Sequence, residues 1–258
     1  ETRFRQRYLD FIVNPEAKQT LEIRSRVINT IRQFMHGEEF IEVETPTLQP
    51  KAGGAIAKPF ITHHNALDVD MYLRIAPELY LKRMIVGGFE KVFELGKVFR
   101  NEGIDQTHLQ ESTMMESYEA FTNVNGVIKM VENMCSAVFE HLELSHNISF
   151  DEKNGDFSFP WTKASMFDLV SEEVGVKVEF ESNFNDVLQE LGSKDIEVDK
   201  EINTTGLLVY NLFERFVEEK IVNPTFVTDY PVEVSPFARN NKNNKNITER
   251  FELFAFGS

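Results

Sequence analysis

Residues 94–118 read Glu-Leu-Gly-Lys-Val-Phe-Arg-Asn-Glu-Gly-Ile-Asp-Gln-Thr-His-Leu-Gln-Glu-Ser-Thr-Met-Met-Glu-Ser-Tyr. Residues 91–100 are rich in Val and Phe and have the pattern of a strand. A short polar loop follows, and residues 114–121 suit an antiparallel partner. Arg100 and Glu102 lie two apart, as do Glu116 and Tyr118, so each pair points to one side of its strand. If the strands pair, the four side chains share a sheet surface. A guanidinium fork on such a surface suits a carboxylate or phosphate, and glutamates suit amine donors. Read alone, the same residues also suit ordinary cross-strand ion pairs on a solvent face.

Working outward, residues 17–36 place Leu21, Val27, Ile28, Ile31, Phe34 and Met35 at helical spacing, with Gly37 as a stop. Residues 40–46 alternate and end at Pro46, which predicts a strand running into a turn. Residues 51–57 form a small-residue loop, 71–75 a strand, and 77–86 a helix with proline in its first turn. Further helices are predicted over 127–144, 164–173, 184–192 and 204–222, and a strand over 225–234. Residues 1–16 are polar, with Arg3, Arg5 and Arg7 alternating, and read as an arm or linker. Residues 17–258 then form one catalytic-sized domain with an acidic helical lobe around 145–222. Hairpin-like neighbours among mixed helices and strands favour an α+β fold, a mainly antiparallel sheet flanked by helices.

Charge narrows the function. Of 258 residues, 27 are Lys or Arg and 42 are Asp or Glu, a net charge of −15. Residues 1–110 are balanced at 15 of each sign, so the whole excess lies in residues 111–258. An acidic chain is a poor general ligand for nucleic acid, whose binding is driven by phosphate neutralisation. One cysteine, Cys135, allows neither an internal disulfide nor a cysteine-based zinc site. No apolar run reaches eighteen residues and no secretory leader opens the chain, so a reducing, cytoplasmic setting is expected. There is no phosphate-binding GxxxxGK[ST] loop, no GxGxxG and no GxSxG elbow. The adjacent His63 and His64 are a weak metal signal, and no metal ligand is assigned.

The 94–118 segment resembles motif 2 of class II aminoacyl-tRNA synthetases. Further blocks resemble the lysyl-tRNA synthetase catalytic domain: Arg5–Asp10, Glu42–Pro46, Ala52–Ala55 with Lys58-Pro59-Phe60, His63–Asp68, Leu73–Lys82, Phe99–Ile104 and Asp229–Pro236. The resemblance implies the class II catalytic fold and a lysine–tRNA ligase, which makes lysyl-adenylate from lysine and ATP with Mg²⁺ and passes lysine to tRNA(Lys). It implies that Arg100 is catalytic, clamping the lysine carboxylate and the ATP α-phosphate. Glu102 would accept from the adenine amino group and His108 would reach the γ-phosphate. Gly54 and Glu78 would hold the α-amino group, and Glu116 with Tyr118 the ε-ammonium. The helix and strand over 17–46 resemble motif 1, which implies a homodimer.

The sequence departs from the family's pattern at named positions. Ser112 stands where the family has an adenine-stacking phenylalanine, a loss of roughly 1–3 kcal/mol by analogy with base stacking on aromatics. Ser117 replaces an aromatic between Glu116 and Tyr118, and Glu39 replaces a motif 1 glycine. The resemblance also implies that metal-binding glutamates and the motif 3 arginine lie past Ser258, and that an anticodon-binding barrel precedes residue 1. The chain is therefore expected to be a C-terminally truncated catalytic fold, weak or inactive alone. The alternative is a non-catalytic paralogue serving as a binding or regulatory module.

Overall fold

The computed structural model describes residues 2–103 and 109–257. They form two compact units, residues 1–122 and 123–258.

Within residues 1–16, read from the sequence as an arm or linker, the first unit opens with two short helices, α1 (Thr2–Arg5) and α2 (Arg7–Val13). The reason is Asp10. Its carboxylate is buried and accepts from Arg3 Nε at 2.7 Å, Arg7 Nη1 at 2.5 Å and Asn14 Nδ2 at 2.5 Å. Two of the alternating arginines, Arg3 and Arg7, thus converge on one acid. Helix α3 (Pro15–Gly37) follows, with proline in its first turn, where the missing N–H is harmless.

Strand β1 (Ile41–Glu42) is short because Pro46 interrupts the extended run. It pairs in parallel with β5 (Lys91–Phe99), which pairs antiparallel with β6 (Glu111–Glu119). A second sheet holds β2 (Leu48–Gln49), β3 (Ile61–His64) and β4 (Val69–Leu73) in the order β2-β4-β3, all antiparallel. Helix α4 (Glu78–Val86) follows β4. The core of this unit is Met35, Phe40, Ile75, Leu81, Val92, Phe93 and Val98.

The β5–β6 ribbon is covered on both sides. Opposed residues of an antiparallel pair project to the same side. The odd-numbered residues face α3: Arg24 Nη2 donates to Thr113 Oγ1 at 2.8 Å. A groove of about 420 Å³ runs there between Val27, Ile28 and Ile31 of the helix and Leu95 and Met115 of the ribbon. The even-numbered residues face α4, whose Lys82 Nζ lies 6.0 Å from the centre of the Tyr118 ring.

The second unit begins with α5 (Val124–Leu142), capped by Asn123, whose side chain accepts from the Asn125 and Gly126 amides. A hairpin of β7 (Asn147–Phe150) and β8 (Lys153–Asp156) comes next. Strand β9 (Thr162–Ser165) leads into α6 (Met166–Val174), which is followed by α7 (Phe184–Gly192) and α8 (Thr205–Leu212). After α8 the helical run widens into a π-turn over Phe213–Val217 and tightens into a 3₁₀ turn at Glu218–Lys220. Strand β10 (Thr225–Thr228) lies between β9, in parallel, and β11 (Phe251–Phe254), antiparallel. The three helices and the π-turn close over this sheet around Met166, Val170, Leu191, Leu208, Leu212, Phe213 and Val227, all buried. The expected strand over 225–234 therefore stops at Thr228; Asp229 takes a φ of +62°, and residues Val232–Val234 form a 3₁₀ turn.

Candidate active site

The β5–β6 register decides which side chains meet. Glu94 lies opposite Glu116, Val92 opposite Tyr118 and Val98 opposite Ser112. The pairing continues past the strand ends, since the Arg100 amide donates to the Gln110 carbonyl at 2.9 Å. Glu94, Arg100, Ser112, Glu116 and Tyr118 therefore share the face toward α4. Glu102 sits in the bend beyond, where its Oε1 accepts from the Lys58 amide at 3.4 Å. His108 lies outside the described residues.

Glu78 opens α4, with its charge felt by both Glu116 and Tyr118. Gly54 lies against it. Its φ is +92°, a region L side chains rarely enter, and a Cβ there would sit 3.1 Å from Glu78 Cβ and 3.3 Å from Ala76 Cβ. Only a residue without a side chain lets the 51–57 loop approach the helix start this closely. The structure thus gathers Gly54, Glu78, Arg100, Glu116 and Tyr118, with Glu102 at the loop edge.

The electrostatics divide the site into two ends. Burial pushes the Glu116 carboxyl above the usual carboxylate range. A hydrogen bond from the Tyr118 hydroxyl, at 3.1 Å, opposes that shift, the charges of Glu78 and Glu94 add to it, and Arg100 opposes it. Burial, then the Glu116 and Glu78 charges, hold the Tyr118 phenol protonated well beyond neutral pH, so it acts as a donor. Glu78 is paired with Lys82 and Glu94 with Arg74. Among the described residues, Glu116 has no cation at ion-pair distance. At the other end, Arg100 Nε is buried without a partner among the described residues. An unpaired buried donor costs about 1–3 kcal/mol, which an anionic acceptor would recover. One face therefore offers an anion receptor and a cation receptor.

Buried on the same face lies a charge pair that the sequence reading did not single out. The Arg74 and Glu94 side chains are 4% and 6% exposed. Arg74 Nε donates to the Lys97 carbonyl at 2.7 Å and Nη1 to Thr45 Oγ1 at 3.2 Å; Glu94 Oε2 accepts from Thr45 Oγ1 at 2.6 Å. The guanidinium lies across Gly96, where any Cβ would overlap it. A signal was available: each charge stands inside an apolar run, Tyr-Leu-Arg-Ile-Ala and Val-Phe-Glu-Leu. Isolated charges in core strands are buried in pairs.

Of the departures, Ser112 lies on the site face, whereas Ser117 pairs with Phe93 on the opposite side and does not line the site. Among the described residues no group of three His, Cys, Asp or Glu could hold a metal ion. His63 lies instead between two exposed acids, 3.3 Å from Asp68 and 3.2 Å from Asp70. No helix among the described residues is long and apolar enough to cross a membrane.

Comparison with known proteins gives the family. The family described as tRNA synthetases class II (D, K and N) matches residues 1–258. A lysine–tRNA ligase of Prochlorococcus marinus subsp. pastoris is 48% identical over 258 residues, covering 100% of this chain and 50% of the relative. Lysine–tRNA ligases of Clostridium novyi and Clostridium kluyveri are 48% and 49% identical, and the chain covers 51% and 52% of them. The chain spans about half the length of the curated relatives it matches. With all of its residues inside the match, the chain belongs to the class II tRNA synthetases of the D, K and N group.

Proposed function

We propose that this chain supplies the amino-acid-binding half of a lysine–tRNA ligase, which activates lysine with ATP and transfers it to tRNA(Lys). The observation that carries the choice of lysine is Glu116, a partly buried carboxylate without a cation partner among the described residues, facing an arginine along the same ribbon. Aspartate would meet like charge there, and asparagine would leave the carboxylate's charge unmatched.

In this reading the lysine ε-ammonium docks on Glu116, whose carboxylate Tyr118 holds through its hydroxyl. The α-amino group lies at Glu78 and Gly54. Arg100 Nε, the orphan donor, reaches the carboxylate and the α-phosphate together. Two anions repel each other, and a fixed cation between them stabilises the in-line approach of a carboxylate oxygen to phosphorus as pyrophosphate leaves. Glu102 accepts from the adenine amino group, and His108 is assigned to the γ-phosphate. Mg²⁺ would supply charge neutralisation for the departing phosphates. None of the described residues forms a centre for it, so no step here is routed through the metal. Leu21 and Ile23 of α3 and Ile41 of β1 are exposed apolar side chains, which supports pairing of two copies through residues 17–46. The setting proposed is the cytoplasm.

The test is ATP–pyrophosphate exchange by the full-length protein with a panel of amino acids. Exchange that depends on lysine supports the proposal, and exchange with aspartate or asparagine instead refutes it. Ser112, on the site face without an adenine-stacking ring, favours one other reading, a non-catalytic binding or regulatory module. Absence of exchange with every amino acid would decide for that one.

A further inference from the structure

We propose that Arg74 is a positioning residue that keeps the lysine side-chain subsite anionic by neutralising Glu94, the residue directly across the ribbon from Glu116. This inference rests on the lysine-ligase reading.

Two carboxylates at directly opposed positions of an antiparallel pair disfavour each other, more so out of water. Glu94 and Glu116 stand in that relation. If both were unpaired, one would take up a proton and the subsite would lose the charge that selects an ammonium group. Arg74 prevents this from beside Glu94, on the same face of the ribbon. Its guanidinium bonds Glu94 and Thr45, and its Nε bonds the Lys97 carbonyl, so it is held in place, almost wholly buried. Gly96 leaves the opening through which it lies. A buried ion pair of this kind is weakly justified by stability alone, because apolar residues of similar shape commonly serve as well. Setting the charge of the neighbouring carboxylate gives the pair a reason.

Every charged element around Glu116 fits this account. Glu78 and Lys82 come from α4 and are paired with each other. Tyr118, on β6, donates to Glu116. Glu94 is on β5, Arg100 follows β5, and Arg74 follows β4. Each acid near Glu116 carries its own cation, which leaves Glu116 for the ligand.

The experiment compares wild type, Arg74→Met, Glu94→Gln and Arg74→Met/Glu94→Gln in the full-length protein. It reads kcat and the KM for lysine in ATP–pyrophosphate exchange between about pH 6 and pH 9. Arg74→Met should move the pH midpoint of the lysine KM upward by about one unit, a KM rise that approaches about tenfold below the wild-type midpoint and vanishes well above the shifted one. Its kcat at saturating lysine should change less. The double variant should return the profile toward wild type, because glutamine needs no counter-charge. Glu94→Gln alone leaves Arg74 unbalanced and should move the midpoint down, an arm that stands even if Arg74→Met does not fold. A loss that falls on kcat without a pH shift overturns the proposal, as does a double variant no better than the single. Carbon-13 NMR titration of the Glu116 carboxyl in the same proteins does not need activity. It should show the same ordering of midpoints, and identical midpoints overturn the proposal. If wild type showed no lysine-dependent exchange, the lysine reading would fail while this titration still judged Arg74.

Discussion

Alanine at position 96 would place a methyl group where the Arg74 guanidinium now lies. The nearest atom is the free end of a side chain, so the guanidinium could in principle slide away. It is held, however, by Glu94, by Thr45 and by the Lys97 carbonyl, and both partners of the ion pair are almost wholly buried. Moving it breaks a buried charge pair, which costs about 3–5 kcal/mol. Removing a strand glycine works in the other direction, by about 0.5–1 kcal/mol, because the unfolded chain loses freedom. The loss dominates, and the net effect is roughly 2–4 kcal/mol of destabilisation. At about 2–4 °C per kcal/mol for a domain of this size, Gly96→Ala should melt some 4–16 °C below wild type. Thermal unfolding followed by far-ultraviolet circular dichroism measures it. A variant melting within a degree of wild type would show that the guanidinium is mobile, and the physical basis assigned to Gly96 would be wrong.

Other substitutions separate stability from function. Glu116→Gln should raise the lysine KM about ten- to a hundredfold, the equivalent of about 1.5–3 kcal/mol for a hydrogen bond to a charged group. Because burial raises the folded-state pKa of Glu116, its stabilising contribution is present below the ordinary carboxylate pKa and is lost as pH rises through the folded value. Glu116→Gln should therefore be at least as stable as wild type near pH 7.5 and show no advantage near pH 4, as urea unfolding at the two values would reveal. Arg100→Ala should reduce adenylate formation by about 10²–10³ while lysine binding, read by calorimetry, changes far less. Turnover near wild type would refute the role of Arg100. Ser112→Phe, on the site face, should lower the KM for ATP by roughly ten- to a hundredfold if the missing ring is what limits nucleotide affinity.

The parts of the fold legible in the sequence were those with strong local periodicity. The ribbon around Arg100 and Glu116 follows from a Val- and Phe-rich run and the short polar loop after it, and the observed register keeps residues 100, 112, 116 and 118 on one side. Helix α7 begins and ends where its apolar spacing indicates. The opening helices were not legible, because their stability comes from three side chains meeting one buried acid rather than from any apolar stripe. The parallel partnership of β9 with β10 joins residues 162–165 to 225–228, and no local pattern encodes a pairing across such a separation. The change from α-helix to π-turn after Leu212 was hidden as well, since Phe213, Phe216 and Val217 continue a helical spacing that does not distinguish the two. At the site, the residues that would touch substrate could be named from the family pattern. Arg74 and Glu94 could not, since they act on other protein groups and no ligand chemistry points to them.

The two-sided ribbon has a consequence for how such a sequence can change. Even positions of β5 and β6 line the candidate site and odd positions meet α3, so point substitutions on one side can drift independently of the other. A single-codon insertion or deletion within either strand would exchange the two sets, turning Glu116 toward the α3 groove and Met115 toward the ligand. Length variation in descendants of this gene should accordingly fall in the loop between the strands or in the second unit, and within the ribbon it should be all but absent.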